Sequence, residues 1–437
     1  MKSYLLTLML CVFFSNFVNA QGTWNICNSP VFASRVDDVY MVNTQIGYAV
    51  CGDGQIVKSV NGGNDWTLLR KDSLVYYRSV EFFNTNIGFI GGFPKPFGSG
   101  SAVKNVLKKT TDGGASWTDL TLQLDTVARQ GICGLAVADS NTIYGCGNWY
   151  ESKGYIIKST NRGNTWTFID MSSYATSLID MHFINKDTGF VTGKGLAPLE
   201  TSIILYTTNG GQTWTNKFVN TNSFEYCWKI QRVTNKMYVA AIEEFDTDTA
   251  NVLKSTDGGM TWNILDVVPM KYNIEGIGFI DTLKGWTGGD RRISFETRDG
   301  GNTWDSIPVC PSMNRVIKVN DTMLFASGNR IWRYRQSIPT GIINNIEREN
   351  IDYASIKSYP NPVRDNLNLE VTLNVSTRAL IILFDSKGTQ INTIDNADKY
   401  KGKYTYNVNT SGLPAGTYYI VLKIHEDKKV EKIIITR

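Results

Sequence analysis

Five carboxylates could carry acid/base chemistry: Asp37, Asp38, Glu81, Asp180 and Glu275. All lie on or beside segments that read as inner strands of a β protein. Glycosidic hydrolysis needs two carboxyl groups roughly 5–10 Å apart, one of them with a raised pKa. If the chain is an enzyme, Asp37, Asp38, Glu81 and Asp180 are its catalytic candidates. A second chemistry is capture without turnover. Aromatic and charged residues cluster at Tyr76-Tyr77-Arg78, Phe93-Pro94-Lys95-Pro96-Phe97, Trp149-Tyr150-Glu151, Phe224-Glu225-Tyr226 and Asp290-Arg291-Arg292. Rings supply contact area and charges fix orientation, so Tyr76, Tyr77, Arg78, Trp149, Tyr150, Glu151, Tyr226, Arg291 and Arg292 are expected to touch a ligand. Glu243, Glu244, Asp246 and Asp248 offer hard oxygens to Ca²⁺, but the EF-hand glycine and distal Glu are missing, so a solvated acidic loop is expected. His182, between Met181 and Phe183, reads as a satisfied or channel-lining side chain. No zinc spacing is present, and neither cofactor nor resident metal is expected.

The elements that must position these residues are set by one eight-residue phrase. It occurs six times: SVNGGNDW at 59–66, TTDGGASW at 110–117, STNRGNTW at 159–166, TTNGGQTW at 207–214, STDGGMTW at 255–262 and TRDGGNTW at 297–304. A Ser or Thr hydroxyl and an Asp or Asn (Asn61, Asp112, Asn161, Asn209, Asp257, Asp299) can bond nearby amides, and Gly accepts positive φ. The closing tryptophans, Trp66, Trp117, Trp166, Trp214, Trp262 and Trp304, are 51, 49, 48, 48 and 42 residues apart. Strand-rich periods of this length point to four-stranded propeller blades. An alternating strand opens each interval (Val36–Asn43, Ser79–Asn84, Ile179–Asn185, Gly276–Asp281), and two more lead into the phrase. After Trp304 come three strands without a phrase, whereas Gly22–Ile26 is a fourth strand without its first three. The N-terminal strand is therefore expected to complete a seventh blade, leaving no open edge.

Residues 1–20 read as a signal peptide: Lys2, the apolar run Leu5–Phe14, then small Ala20. Residues 21–335 are the propeller and 336–352, with Pro339 and Gly341, a linker. Residues 353–437, with five alternating strands, form a small β-sandwich. The fold class is all-β. Six cysteines remain after residue 20, too few for a disulfide scaffold in a chain of 437 residues. Cys133 and Cys146 flank a hairpin and could pair or remain separate buried thiols. Residues 21–352 carry 31 basic and 32 acidic side chains, against 12 and 8 in 353–437. The near-neutral body lacks the basic footprint of a nucleic-acid binder. No later segment approaches the roughly 20 apolar residues of a membrane helix.

The repeated phrase resembles the Asp-box, or bacterial neuraminidase repeat, of sialidases, sortilin-type receptors and xyloglucanases. The form at 112–117, 257–262 and 299–304 is most similar to photosystem II assembly-factor-like propellers. The phrase is structural in all these families. A sialidase would add an arginine trio, and Arg78, Arg129, Arg291, Arg292 and Arg315 are available, but the Arg-Ile-Pro start of that family is absent. Residues 353–437 resemble the type A C-terminal sorting domain of Bacteroidetes type IX secretion cargo. The resemblance rests on Tyr359-Pro360-Asn361-Pro362-Val363, Leu383–Gly388 ending in Ser386-Lys387-Gly388, Leu413-Pro414-Ala415-Gly416 and the basic end around Lys432. It implies handling by the type IX machinery, export through the periplasm, and release or surface attachment with removal of the tail. A secreted or surface-displayed propeller that binds glycan or protein is the expected function. Glycoside hydrolysis is the alternative.

Overall fold

The computed structural model describes residues 22–95, 106–147, 153–243, 248–336, 354–374, 377–386, 389–399, 401–424 and 427–437. The chain divides at Ile338/Pro339 into two compact units. The first is built of seven four-stranded antiparallel sheets. Their innermost strands are Val36–Met41, Val75–Phe82, Ile132–Val137, Ser177–Phe183, Tyr226–Arg232, Ile274–Phe279 and Arg315–Asn320. Each touches the innermost strands of both neighbouring blades, and Val36–Met41 touches Arg315–Asn320. The result is a closed seven-bladed propeller. In the seventh blade Ile331–Gln336 pairs with Gly22–Ile26, so the first described strand fills the outermost place of the last sheet. Trp24 anchors it there, edge-on to Trp286 at 5.3 Å and beside Tyr334 at 5.5 Å.

Six innermost strands share a departure from regular pairing. The register slips between Val36/Asp38, Tyr77/Ser79, Ile132/Gly134, Leu178/Asp180, Cys227/Lys229 and Ile274/Gly276. Each slip leaves one residue outside the ladder: Asp37, Arg78, Cys133, Ile179, Trp228 or Glu275. A bulge re-aims the side chain it carries, and four of these six are polar or thiol groups set in the channel. The bulge also breaks the alternation that sequence reading follows. The inner strands of blades two, four and six therefore begin at Val75, Ser177 and Ile274, before the starts read from sequence at Ser79, Ile179 and Gly276.

The turn phrases build one geometry six times. In the second, the Thr110 hydroxyl bonds Asp112 at 2.8 Å and accepts from Gly114 N at 2.9 Å. Asp112 accepts from Ser116 N at 2.9 Å and from its hydroxyl at 2.6 Å. The first glycine stands at φ 68° and the second at 86°, left-handed values that a Cβ disfavours. Arg162, in the third phrase, takes the same conformation at φ 57°. Its Nε is held by Ser140 O at 2.8 Å.

The lysine preceding the phrase reaches into the next blade. Lys58 donates to Gly113 O at 2.8 Å, Lys158 to Gly210 O at 2.9 Å and Lys254 to Gly300 O at 2.6 Å. Arg333 does the same for the ring closure, bonding Gly62 O at 2.9 Å. The turns are thus acceptors in a chain of blade-to-blade ties.

Hydrogen bonds from Ser116, Thr261 and Thr303 pull the carboxyls of Asp112, Asp257 and Asp299 down to about 2. A carboxyl held below its unfolded pKa stabilises the fold above that value, and the contribution fades as pH falls through the folded pKa. These three turns therefore weaken between about pH 4 and pH 2, whereas the Asn-based turns at 159–166 and 207–214 carry no carboxyl, and the one at 59–66 keeps Asp65, held below its ordinary value by Asn28 and Asn61. Asp112→Asn, Asp257→Asn and Asp299→Asn together should flatten the acid limb of a pH titration followed by tryptophan fluorescence. An acid limb identical to that of the parent would reject this account.

The second unit has seven strands in two sheets. Asn366–Leu373 lies between Ala354–Tyr359 and Gly402–Asn409, and the other sheet runs Gln390–Lys399, Thr377–Asp385, Gly416–Ile424, Asp427–Ile435. Alternate residues close one core, among them Leu367, Leu369, Val371, Ile381, Leu383, Ile420, Leu422 and Ile433. Two of these strands escape the sequence pattern. Ala354–Tyr359 runs into prolines, and Gln390–Lys399 is polar along most of its length.

Candidate functional site

The starts of the innermost strands converge on one end of the channel. Asp37, fully buried, accepts from Arg78 Nη1 at 2.7 Å and from Arg35 Nη2 at 2.9 Å. Arg35 also pairs with Glu275, which takes Asn314 Nδ2 at 2.8 Å. The Arg78 guanidinium lies over the Trp228 ring at 5.2 Å and reaches Cys133 Sγ at 3.6 Å. One step deeper, Arg315 ties the adjoining first blade to the fourth blade across the channel. It bonds Asp38 at 3.0 Å and grips both oxygens of Asp180 at 2.9 and 2.7 Å. Asp38 and Asp180 also accept from Val80 N and Ile230 N, each at 3.0 Å. Burial alone would raise the Asp180 carboxyl, but the charges of Arg315 and Lys229 hold it below its ordinary value.

Glu81 differs. It lies deeper, where burial and then Asp38 push its carboxyl well above the ordinary range. Burial, followed by the charge of Arg232, lowers His182 to about 4 and keeps it neutral. Glu81 and His182 line a cavity of about 320 Å³ at the far end of the channel.

Around the near end three rings are paired with cations, Tyr76 and Tyr226 half-buried and Tyr272 buried. Lys95 Nζ stands 5.5 Å over Tyr76, Lys194 Nζ 4.8 Å over Tyr226, and Arg291 Cζ 5.9 Å from the Tyr272 centroid. Arg291 and Arg292 are exposed. Tyr77 and Arg78, expected on this surface, are not on it. Both are fully buried, Tyr77 in the core with Val75 and Phe82, and Arg78 in the charge network. The bulge at Arg78 turns that side chain into the channel and disguises both residues as loop. Trp149, Tyr150 and Glu151 lie outside the described residues, as do 244–247 of the acidic loop. Glu243 ends a strand, accepts from Trp228 Nε1, and is pushed up to about 7 by burial and then by Glu275. Among the described residues no group of acids, histidines and cysteines is placed to hold a metal. Cys133 and Cys146 are buried free thiols, the second of the two alternatives left by the sequence.

In the second unit the Pro360-Asn361-Pro362 turn serves as a clip. The Asn361 side chain donates to Lys432 O at 2.7 Å and accepts from Ile434 N at 2.9 Å, taking the place of a strand partner along Asp427–Ile435. Val363 continues that contact through a parallel bridge to Ile435. Pro414 O receives the Tyr418 hydroxyl at 3.1 Å, and Gly416 opens the following strand. Gly388 lies outside the described residues. Residues 357–436 match the family described as the secretion system C-terminal sorting domain. The chain carries a type IX sorting tail. Such a tail directs export to the cell surface or the extracellular space. Among the described residues no helix is long and apolar enough to cross a membrane.

Among solved structures the propeller is similar to YCF48 bound to D1 peptide, with 15% identity, a TM-score of 0.54, and 72% of this chain and 95% of that one covered. YCF48 from Cyanidioschyzon merolae gives 16% identity, a TM-score of 0.55 and coverage of 71% and 98%. The WD40 repeats of RRP9 give 9%, 0.54, 72% and 97%. At these identities the likeness is one of fold. No curated protein matches the chain.

Proposed function

We propose that the chain is a secreted or surface-displayed binding module whose propeller captures a glycan or protein ligand on the face where the innermost strands begin, without turning it over. The observation that carries this reading is the state of the channel carboxylates. Asp37, Asp38 and Asp180, three of the four candidates for catalysis, are bound by guanidinium groups, and Asp38 and Asp180 by backbone amides as well. Acids held this way close the throat of the channel, and the one oxygen among them without a hydrogen bond, Asp37 Oδ2, is buried. The rim instead offers Tyr76 and Tyr226 beside cations, the pairing of area with charge that suits recognition. Trp149, Tyr150, Glu151, Arg291 and Arg292 complete the proposed contact set. A peptide belongs among the candidate ligands because YCF48, of similar fold, has been solved bound to one.

The same proposal takes residues 1–20 as a signal peptide, 21–335 as the mature propeller, 336–352 as a linker and 353–437 as a type A tail of Bacteroidetes cargo. A glycan array and a peptide array probed with the full chain test the reading. Saturable binding that weakens at least about tenfold in Tyr226→Ala or Tyr76→Ala is expected. Binding that ignores both substitutions would reject this face. One observation favours the alternative, glycoside hydrolysis: Glu81, its carboxyl pushed up by burial, lies beside the Tyr40 hydroxyl and near Asp38. Incubating array hits with the protein and assaying for cleavage decides between the two.

A further inference from the structure

The channel has a second end, on the side of the repeated turns and away from the aromatic rim. The later halves of the innermost strands line a cavity there. Its floor is the Arg315 bridge to Asp38 and Asp180, which makes it a dead end. Above the floor stands an apolar collar of Val39, Val80, Leu135, Met181, Ile230 and Val316. Two charged side chains on the wall are unmatched. Among the described residues Glu81, on the second blade, pairs with no cation, and Arg232, on the fifth, pairs with no acid. Nor do they pair with each other, standing three places apart in a ring of seven blades.

The groups that could have matched them are engaged elsewhere. Arg315 is taken by the two floor aspartates, and Lys318 pairs with Asp321 at 2.7 Å. The Tyr40 hydroxyl donates to Phe82 O at 3.1 Å, and Gln231 holds Phe279 N at 2.7 Å and Phe279 O at 3.2 Å. Glu81 is therefore a carboxyl set among acids, and both burial and the charge of Asp38 raise it, as expected where a cation is wanting. Arg232 is exposed at the end of its strand, at the mouth of the same cavity.

We propose that this cavity binds a zwitterionic amino acid with an aliphatic body, its ammonium against Glu81, its carboxylate against Arg232 and its hydrocarbon in the collar. The volume of about 320 Å³ lies at the lower end of the range of small-molecule sites. The arrangement selects against simpler ligands. An anion alone answers Arg232 but meets Glu81 and two aspartates further in, and like charges at short range repel. An amine alone answers Glu81 but must pass Arg232 and Lys318. An uncharged ligand leaves both unmatched groups as they are. A dipolar one satisfies both through charge-assisted hydrogen bonds.

Saturation-transfer NMR titrations of the full chain with L-leucine, L-methionine and ε-aminocaproate test the site. Isoamylamine and isocaproate, which are leucine without its carboxylate and without its amine, serve as controls. At least one zwitterion should saturate, binding at least about tenfold tighter than either control. Glu81→Gln should weaken the zwitterion at least about tenfold and leave isocaproate no weaker, whereas Arg232→Gln should weaken the zwitterion and leave isoamylamine no weaker. Tryptophan-fluorescence unfolding checks that each variant is folded. Should Glu81→Gln fail to fold, Arg232→Gln, at an exposed position, still decides the matter. Ligand capture on the aromatic face should be untouched by both variants, which separates this proposal from the preceding one. No saturable signal from any of the three zwitterions would overturn it. So would zwitterion binding indifferent to both substitutions, or a control that binds as tightly as the best zwitterion.

Discussion

Arg315→Met should destabilise the propeller by about 3–5 kcal/mol, the cost of removing one partner from a buried ion pair. Arg315 holds Asp38 and Asp180 together, and neither aspartate has another cationic side chain bonded to it among the described ion pairs. Removing it leaves two carboxylates in the channel, nearest to Lys229, whose own amine is depressed by burial. The pH dependence should reverse as well. In the parent the depressed Asp180 contributes stability above its unfolded pKa and loses it as pH falls through the folded value. Without Arg315, burial raises the Asp180 carboxyl, so stability is retained at low pH and lost as pH rises. Denaturant titrations at pH 5 and pH 8 should therefore show the larger loss at pH 8. Asp180→Asn in the same chain should recover part of it. All 11 tryptophans precede residue 337, so their fluorescence reports on the propeller without interference from the tail. A loss under about 1 kcal/mol at both pH values would show that the bridge is dispensable.

Deleting residues 339–437 should abolish export, leaving the propeller inside the cell envelope of a host that carries the type IX machinery. A subtler change separates the tail's fold from its mere presence. Asn361→Ala removes the clip on Asp427–Ile435 and strands Lys432 O and Ile434 N at the edge of the sheet. With two partly solvated hydrogen bonds gone, the second unit should lose about 1–2 kcal/mol. Surface or medium yield should fall relative to the parent, whereas Asn361→Asp keeps the acceptor for Ile434 N and should retain more. Immunoblots of envelope and medium fractions measure both. A truncated chain that reaches the surface at parental levels would refute the assignment of export to this unit.

The repeat grammar made the blades legible. Turn phrases at near-constant spacing, alternating strands and an orphan strand at each end specify seven blades and the closure. Positions within the channel were less legible, and the reason is local. A bulge inserts one residue, the period-2 pattern slips, and the residues before it read as loop, which is what happened at Tyr77 and Arg78. The partners of the channel acids were beyond reach for another reason. Asp38 meets Arg315 across 277 positions of sequence, and nothing in the composition of either strand announces the other. The blade-to-blade ties do have a signal in the sequence. Lys stands immediately before the phrase at Lys58, Lys109, Lys158 and Lys254, at the third-strand position facing the next blade.

The closure of the ring also sets an order of events. Gly22–Ile26 is made early and must wait for Ile331–Gln336, its only strand partner among the described residues, roughly 300 residues later. Six blades can form while the chain is still emerging, but the seventh has nothing to close on until almost the whole propeller has been delivered. During that interval Gly22–Ile26 is an unpaired strand, and the first and sixth blades each present a bare sheet face, the kind of surface that recruits other chains. A cell exporting this protein therefore holds, for a time, an open crescent rather than a ring, and whatever guards unfolded cargo there must cover its two ends.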